Sequence, residues 1–197
     1  GAVVLRAFSS QPTKTYLTDF TPSRFYEWVL DPARGVVVSE RCLNGDVDVE
    51  FPAIDPRRVG LPTDRVFCTR VKSYGGPLDR FRVPSIGILL DAVLAFSSND
   101  DDDENLGAVV DDFVLPDGSF LVSEPTFVAP NDDDPQTGRG GYVVALATDT
   151  TADPMTTDLL ILDAADLRAG PLAVLRLPAH VPYGLHSAYV PEDLLVA

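Results

Sequence analysis

Seventeen prolines punctuate this chain from Pro12 to Pro191. Each one fixes φ and lacks a backbone N–H, so a long helix has few places to form. Between the prolines, short runs with strand-like composition recur: Phe25–Leu30, Val36–Glu40, Val66–Val71, Ile86–Val93, Ser119–Val122, Tyr142–Thr148, Leu159–Asp163 and Leu172–Leu177. Turn clusters separate them, among them Asp31-Pro32, Asn44-Gly45, Pro116-Asp117-Gly118 and Asp153-Pro154. The pattern predicts an all-β chain, with at most one helical turn over Asp163–Ala169. By itself it is equally compatible with a barrel, a sandwich or a propeller. Two segments, Arg24–Asp31 and Asp158–Asp163, each end an apolar strand in an aspartate before a turn. A repeated hairpin with a loop-closing aspartate produces this, and such hairpins build propeller blades.

The chain has 197 residues, 45% of them hydrophobic, enough for one sizeable core. Thirty acidic against 15 basic residues give a net charge of −15. A surface of that sign repels phosphate backbones, so nucleic acid is excluded as a partner. Apolar stretches such as Ser85–Phe96 fall short of the ~20 residues that cross a bilayer as a helix. Gly1–Leu5 lacks the charged and apolar regions of a secretory signal. Cys42 and Cys68 stand far apart without a CxxC pattern, which predicts two free thiols and favours a reducing intracellular compartment, cytoplasm or plastid.

Two acidic runs interrupt the strand pattern, Asp100–Asp103 and Asp132–Asp134. Mutual repulsion makes them solvated loops, the first an insertion over residues 98–106. Calcium is the sharper alternative, but the alternating ligand spacing and turn glycine of an EF-hand are missing.

All imidazole chemistry must come from His180 and His186, which share the segment Leu177–His186. Pro182 and Gly184 lie between them, so this is not the i, i+4 pair that a zinc-binding helix presents.

Leu175-Arg176-Leu177-Pro178 followed by Val181-Pro182-Tyr183-Gly184-Leu185-His186 resembles the closing motif of the carotenoid cleavage oxygenases. Asp158–Ala164 resembles the strand ahead of that motif. Val49–Pro56 and Ser123–Val128 resemble the glutamate-bearing motifs of the same family, in the same order. The chain departs from the family at Ser187, where glycine is common, and at Leu185, where an aromatic is common. Val83–Asn105 does not resemble blade-forming sequence.

The resemblance implies a partial seven-bladed β-propeller, residues 1–197 being the C-terminal blades of a single oxygenase domain. It implies a non-haem Fe(II) enzyme that cleaves a conjugated double bond of a carotenoid or apocarotenoid with O2, giving two carbonyl products. His186 would be an iron ligand, and Glu50 and Glu124 would orient iron-bound histidines. The other three histidines would lie in an N-terminal region, so the isolated chain is expected to be incomplete and inactive. The full-length protein is expected to leave room for peripheral membrane contact. Chemistry agrees with these roles: a metal-bound imidazole exposes an N–H on its other nitrogen, and a carboxylate accepting it fixes the ring. A proline follows each glutamate, Pro52 two residues after Glu50 and Pro125 directly after Glu124, as suits strands that end at an axis. The competing reading is a non-catalytic β-repeat binding module, or an inactive fragment, that keeps the blades without the metal.

Overall fold

The computed structural model describes residues 2–9, 22–74, 88–99, 104–130, 140–184, 186–192 and 195. The described residues are all-β: β1 (Val3–Ser9), β2 (Arg24–Asp31), β3 (Val36–Asn44), β4 (Val49–Ala53), β5 (Arg65–Tyr74), β6 (Ile88–Ser97), β7 (Val109–Val114), β8 (Ser119–Leu121), β9 (Thr126–Val128), β10 (Tyr142–Asp149), β11 (Thr156–Asp163) and β12 (Asp166–Arg176). A single 3-10 turn, Pro56–Arg58, is the one helical element among them. None is a helix long and apolar enough to cross a membrane.

Antiparallel pairing arranges these strands as successive blades. β1, β2 and β3 form a three-stranded sheet. β4, β5, β6 and β7 follow as a four-stranded meander. In the last unit β10, β11 and β12 are joined by β8 and β9, which both pair with β10 and are two halves of one inner strand. A single bridge, Leu90 to Leu121, links the second and third units into one sheet.

The middle unit explains the longest apolar run. On β6, Leu90, Val93 and Ala95 face the third unit, in a cluster with Leu121, Val143, Leu160 and Leu162. Ala92, Leu94 and Phe96 face the first, in a cluster with Phe25, Val49 and Cys68. A strand covered on both faces has no polar side to alternate with. Each large side chain buried this way contributes about 1.5–3 kcal/mol. In the first seam Phe25 lies 5.4 Å, centroid to centroid, from both Phe8 and Phe96.

Polar groups that enter these seams are matched. Glu27, 6% exposed, accepts from Arg6 Nε and Arg41 Nε, each at 2.8 Å, and Arg6 Nη1 reaches across to the Ser98 carbonyl at 2.8 Å. Arg70 forks onto the buried Asp91 carboxylate at 2.8 and 3.0 Å.

The loop-closing aspartates are present. Asp31 Oδ1 accepts the N–H groups of Ala33 and Arg34 at 3.0 and 3.1 Å, and Asp163 Oδ1 that of Ala165 at 2.9 Å. Each closes the turn between the last two strands of its unit, the equivalent place in the first and third. The β6–β7 hairpin is closed at its base, Ser97 N–H to Ala108 O and Gly107 N–H to Ser97 O, both at 2.9 Å.

Three expectations need correction. The helical turn over Asp163–Ala169 does not form: Asp166 already starts β12, and the N–H groups of Leu167 and Arg168 are bound by Asp111 at 2.8 and 3.2 Å. The strand expected over Ile86–Val93 is described from Ile88 and runs on to Ser97. Within Val83–Asn105, which does not look blade-forming, this strand is the third of the four in the middle blade, paired on both sides by β5 and β7. β1, β4, β7 and β9 lie outside the strand-like runs read from the sequence. The acidic residues Asp100–Asp103 and Asp132–Asp134, with their calcium alternative, lie outside the described residues.

Candidate functional site

The two glutamates occupy matching places. Glu50 lies on β4, the first strand of the middle unit, and Glu124 lies in the break between β8 and β9, the first strand of the third. At both positions the inner strand is irregular. In β4, Glu50 pairs with Thr69 and Ala53 with Phe67, so Phe51 and Pro52 together oppose Cys68 alone, a β-bulge. Phe51 takes a φ of +57°, a left-handed conformation that costs a residue with a side chain about 1–2 kcal/mol. Pro52, with no N–H to leave unpaired, suits this interruption. Between β8 and β9, Ser123 Oγ accepts Leu146 N–H at 3.0 Å and repairs the ladder where Glu124-Pro125 departs from it.

His186 follows β12 on an extended segment that belongs to no strand, rather than on the inner end of one. Gly184 brings that segment onto the same break, its N–H donating to Val122 O at 2.9 Å. The Glu124 carboxylate then holds two successive groups. Oε2 lies 3.2 Å from His186 Nδ1, and Oε1 accepts Ser187 N–H at 2.7 Å. Ser187 Oγ adds bonds to Glu124 O at 3.4 Å and Thr126 Oγ1 at 3.2 Å. The serine standing where glycine is common therefore tightens the attachment.

A carboxylate only accepts, so Nδ1 carries a proton, and in the neutral ring that leaves the lone pair on Nε2. The His186 side chain is 79% exposed. An exposed imidazole with one nitrogen bound to a carboxylate is the arrangement of a metal-ligating histidine. The residues present fit one ligand of a metal centre. Among the described residues no group of three or more His, Cys, Asp or Glu side chains converges.

Glu50 does not bond His186. Its Oε1 accepts from Ser23 Oγ at 2.9 Å, and its backbone carbonyl accepts from Thr69 Oγ1 at 2.9 Å. Burial pushes its carboxyl above the ordinary value against the Ser23 hydrogen bond, and the charge of Asp48 adds to the rise. Burial, with Glu50 nearby, likewise raises the Tyr183 hydroxyl. Glu50 is thus linked to the histidine segment through Tyr183 and through its neighbour Phe51, whose ring meets the His186 imidazole at 6.0 Å and 87°. Sequence reasoning missed Phe51, because nothing in a phenylalanine signals a positive φ.

His180 is turned to a different task. Its Nδ1 lies 3.2 Å from Thr157 Oγ1, which also accepts Val181 N–H at 2.9 Å and lies 2.9 Å from Thr148 Oγ1. Thr157 is fully buried. This network pins the segment after β12 to β11 and explains why His180 is separated from the Glu124 cluster. A cleft of about 1130 Å³ opens beside the site, walled by Pro52, Ile54, Glu124, Phe127, Ser187 and Tyr189.

Comparison with known proteins gives the same picture. The family described as "Retinal pigment epithelial membrane protein" matches residues 3–191. The apocarotenoid-15,15'-oxygenase of Synechocystis sp. is 25% identical over 177 residues, 89% of this chain and 31% of the relative. Resveratrol cleavage oxygenase 1 of Chaetomium globosum is 35% identical over 75 residues, 36% of this chain and 11% of that protein. Among solved structures, cobalt-substituted Synechocystis apocarotenoid oxygenase superposes with a TM-score of 0.68 at 24% identity, covering 96% of this chain and 37% of that one. A chimera of that oxygenase with RPE65 gives 0.68 at 23%, with 94% and 36% covered. The chain thus spans about a third of the length of the apocarotenoid oxygenases it matches, and the blades described above are part of a propeller fold.

Proposed function

Because this chain belongs to the retinal pigment epithelial membrane protein family of oxygenases, we propose that it supplies one wall of a non-haem Fe(II) site in which a carotenoid or apocarotenoid is cleaved by O2 at a conjugated double bond, giving two carbonyl products. The carrying observation is the Glu124–His186 pair, made through Nδ1 at 3.2 Å on a side chain that is 79% exposed. His186 is the iron ligand of this chain. Glu124 holds its ring in one tautomer and, through Ser187 N–H, holds the backbone that carries it.

Iron held by His186 together with ligands from outside this chain would supply the activation of O2 toward the polyene. The chain's own residues bind and orient. The raised Glu50 carboxyl beside Asp48 has capacity for a donor from another segment, and supports its reading as the orienter of a second histidine. The apolar walls of the cleft, Pro52, Ile54 and Phe127, suit a hydrocarbon. The free thiols, Cys42 exposed and Cys68 buried, support a reducing compartment.

The test is a polypeptide in which this chain replaces the matching part of the Synechocystis oxygenase. It should retain iron and convert an apocarotenoid to carbonyl products. Glu124→Gln should weaken both by about 10–100-fold. A folded His186→Ala version with undiminished iron would refute the assignment.

A further inference from the structure

We propose that Phe51 is a positioning residue for His186: the left-handed bulge in β4 exists to set the phenylalanine ring against the imidazole and fix its plane. One hydrogen bond at Nδ1 fixes a point of the ring and its tautomer, but leaves the ring free to swing about the N–H···O axis. A second contact off that axis removes the freedom. Phe51 provides it, at a centroid distance of 6.0 Å and an interplanar angle of 87°, the edge-to-face geometry aromatic rings prefer.

The backbone argues that this contact is a purpose of the bulge rather than a by-product. Phe51 is partly buried against the core of the middle and third units, yet a residue needed only for that core can reach it from an ordinary strand conformation. Bulges next to functional sites re-aim side chains, and glycine usually takes the left-handed position. Here a phenylalanine holds φ +57° although the following Pro52 favours an extended conformation with negative φ at this position, and Thr69 Oγ1, donating to the carbonyl of Glu50 at 2.9 Å, anchors the residue before it. The inference runs from an observed outlier to a role. With Glu124 on one blade and Phe51 on the next, the direction of Nε2 is set jointly by two blades.

The bearing on catalysis rests on His186 being a metal ligand; the ordering of the ring does not, and can be read without metal. With two histidines in the chain, a histidine-labelled sample of all 197 residues gives two sets of ring signals, assigned with His180→Gln. The His186 ring protons should show cross-relaxation to the Phe51 ring and lie displaced from free-histidine positions by its ring current. Phe51→Leu, which keeps apolar bulk, should lose the displacement, and Phe51→Tyr should restore it. His180, anchored on Thr157, should hold its position throughout and report that the fold persists. His186 signals unmoved by Phe51→Leu, or unrestored by Phe51→Tyr, would overturn the proposal. So would a Phe51→Leu chain in which His180 moves as far as His186, because Phe51 would then act on the fold. Iron retained by His186→Ala in the hybrid enzyme would defeat the ligand assignment alone and leave the ring result standing.

Discussion

The carboxylate of Asp111 on β7 accepts the backbone N–H of Leu167 on β12 at 2.8 Å, across the seam between the middle and third blades. It also accepts Arg168 N–H at 3.2 Å and stands 3.5 Å from Arg65 Nη1, which donates to Ala164 O at 3.1 Å. Asp111 is 5% exposed, so this carboxylate replaces water for the donors around it. Asp111→Asn puts an NH2 group among those donors. It should cost about 2 kcal/mol in urea unfolding, within the range for hydrogen bonds to a charged group. Faster amide exchange at Leu167 should accompany the loss. An unchanged midpoint would show that the seam is held by apolar packing alone.

The histidines separate in the opposite sense for metal and for stability. His186→Ala should abolish iron retention in the hybrid enzyme while leaving unfolding nearly unchanged, since the side chain is 79% exposed. His180→Ala should leave iron content intact. Thr157→Val removes the buried hydroxyl that serves Val181 N–H, Thr148 and His180, and should destabilise by about 1–3 kcal/mol. Metal analysis beside denaturation curves reads both effects.

Glu50 makes stability depend on pH in a direction that can be worked out. Its folded carboxyl is raised, chiefly by burial, so the folded chain holds that proton more tightly than the unfolded one. The stabilisation is fully present below the unfolded value and is lost as pH rises through the folded value. Glu50→Gln, neutral at every pH and still able to accept from Ser23, should raise the unfolding midpoint near about pH 7 and give no gain near about pH 4. A gain of equal size at both pH values would contradict a buried, titrating Glu50.

Phe51 predicts an inversion of the usual order of helix- and strand-compatible substitutions. Alanine normally outlasts glycine inside an element, but at φ +57° alanine keeps the backbone strain and glycine does not. Both variants lose the ring. Phe51→Gly should be more stable than Phe51→Ala by about 1 kcal/mol in matched urea titrations. Alanine as the more stable of the two would mean that the positive φ is not kept.

Some of this was legible in the sequence and some was not, for physical reasons. The strands flanked by Pro, Gly and Asp clusters could be read because turn chemistry is local; Asp31 and Asp163 bind N–H groups two or three residues on. Glu124 and His186 could be singled out by their motifs, and the structure brings them into contact. The spatial role of Glu50 was less accessible: it sits on the inner strand as anticipated, yet bonds Ser23 and meets the histidine only through Phe51 and Tyr183. β6 was read as a strand but cut short at Val93 and not recognised as part of a blade, because a strand buried on both faces loses the alternation that would mark its full extent. Phe51 was invisible, since its conformation belongs to the bulge in β4 and runs against its own preference and that set by the following Pro52.

The hairpin closed by Ser97, Gly107 and Ala108 separates chain length from site geometry. Glu50 and Glu124 stand on inner strands, while this hairpin joins the outer two strands of the middle blade, and its base is sealed before the acidic segment begins. Residues gained or lost beyond the seal alter the numbering between the two glutamates without altering the distance between them. The length of chain beyond the seal is thereby set independently of the spacing of the two glutamates.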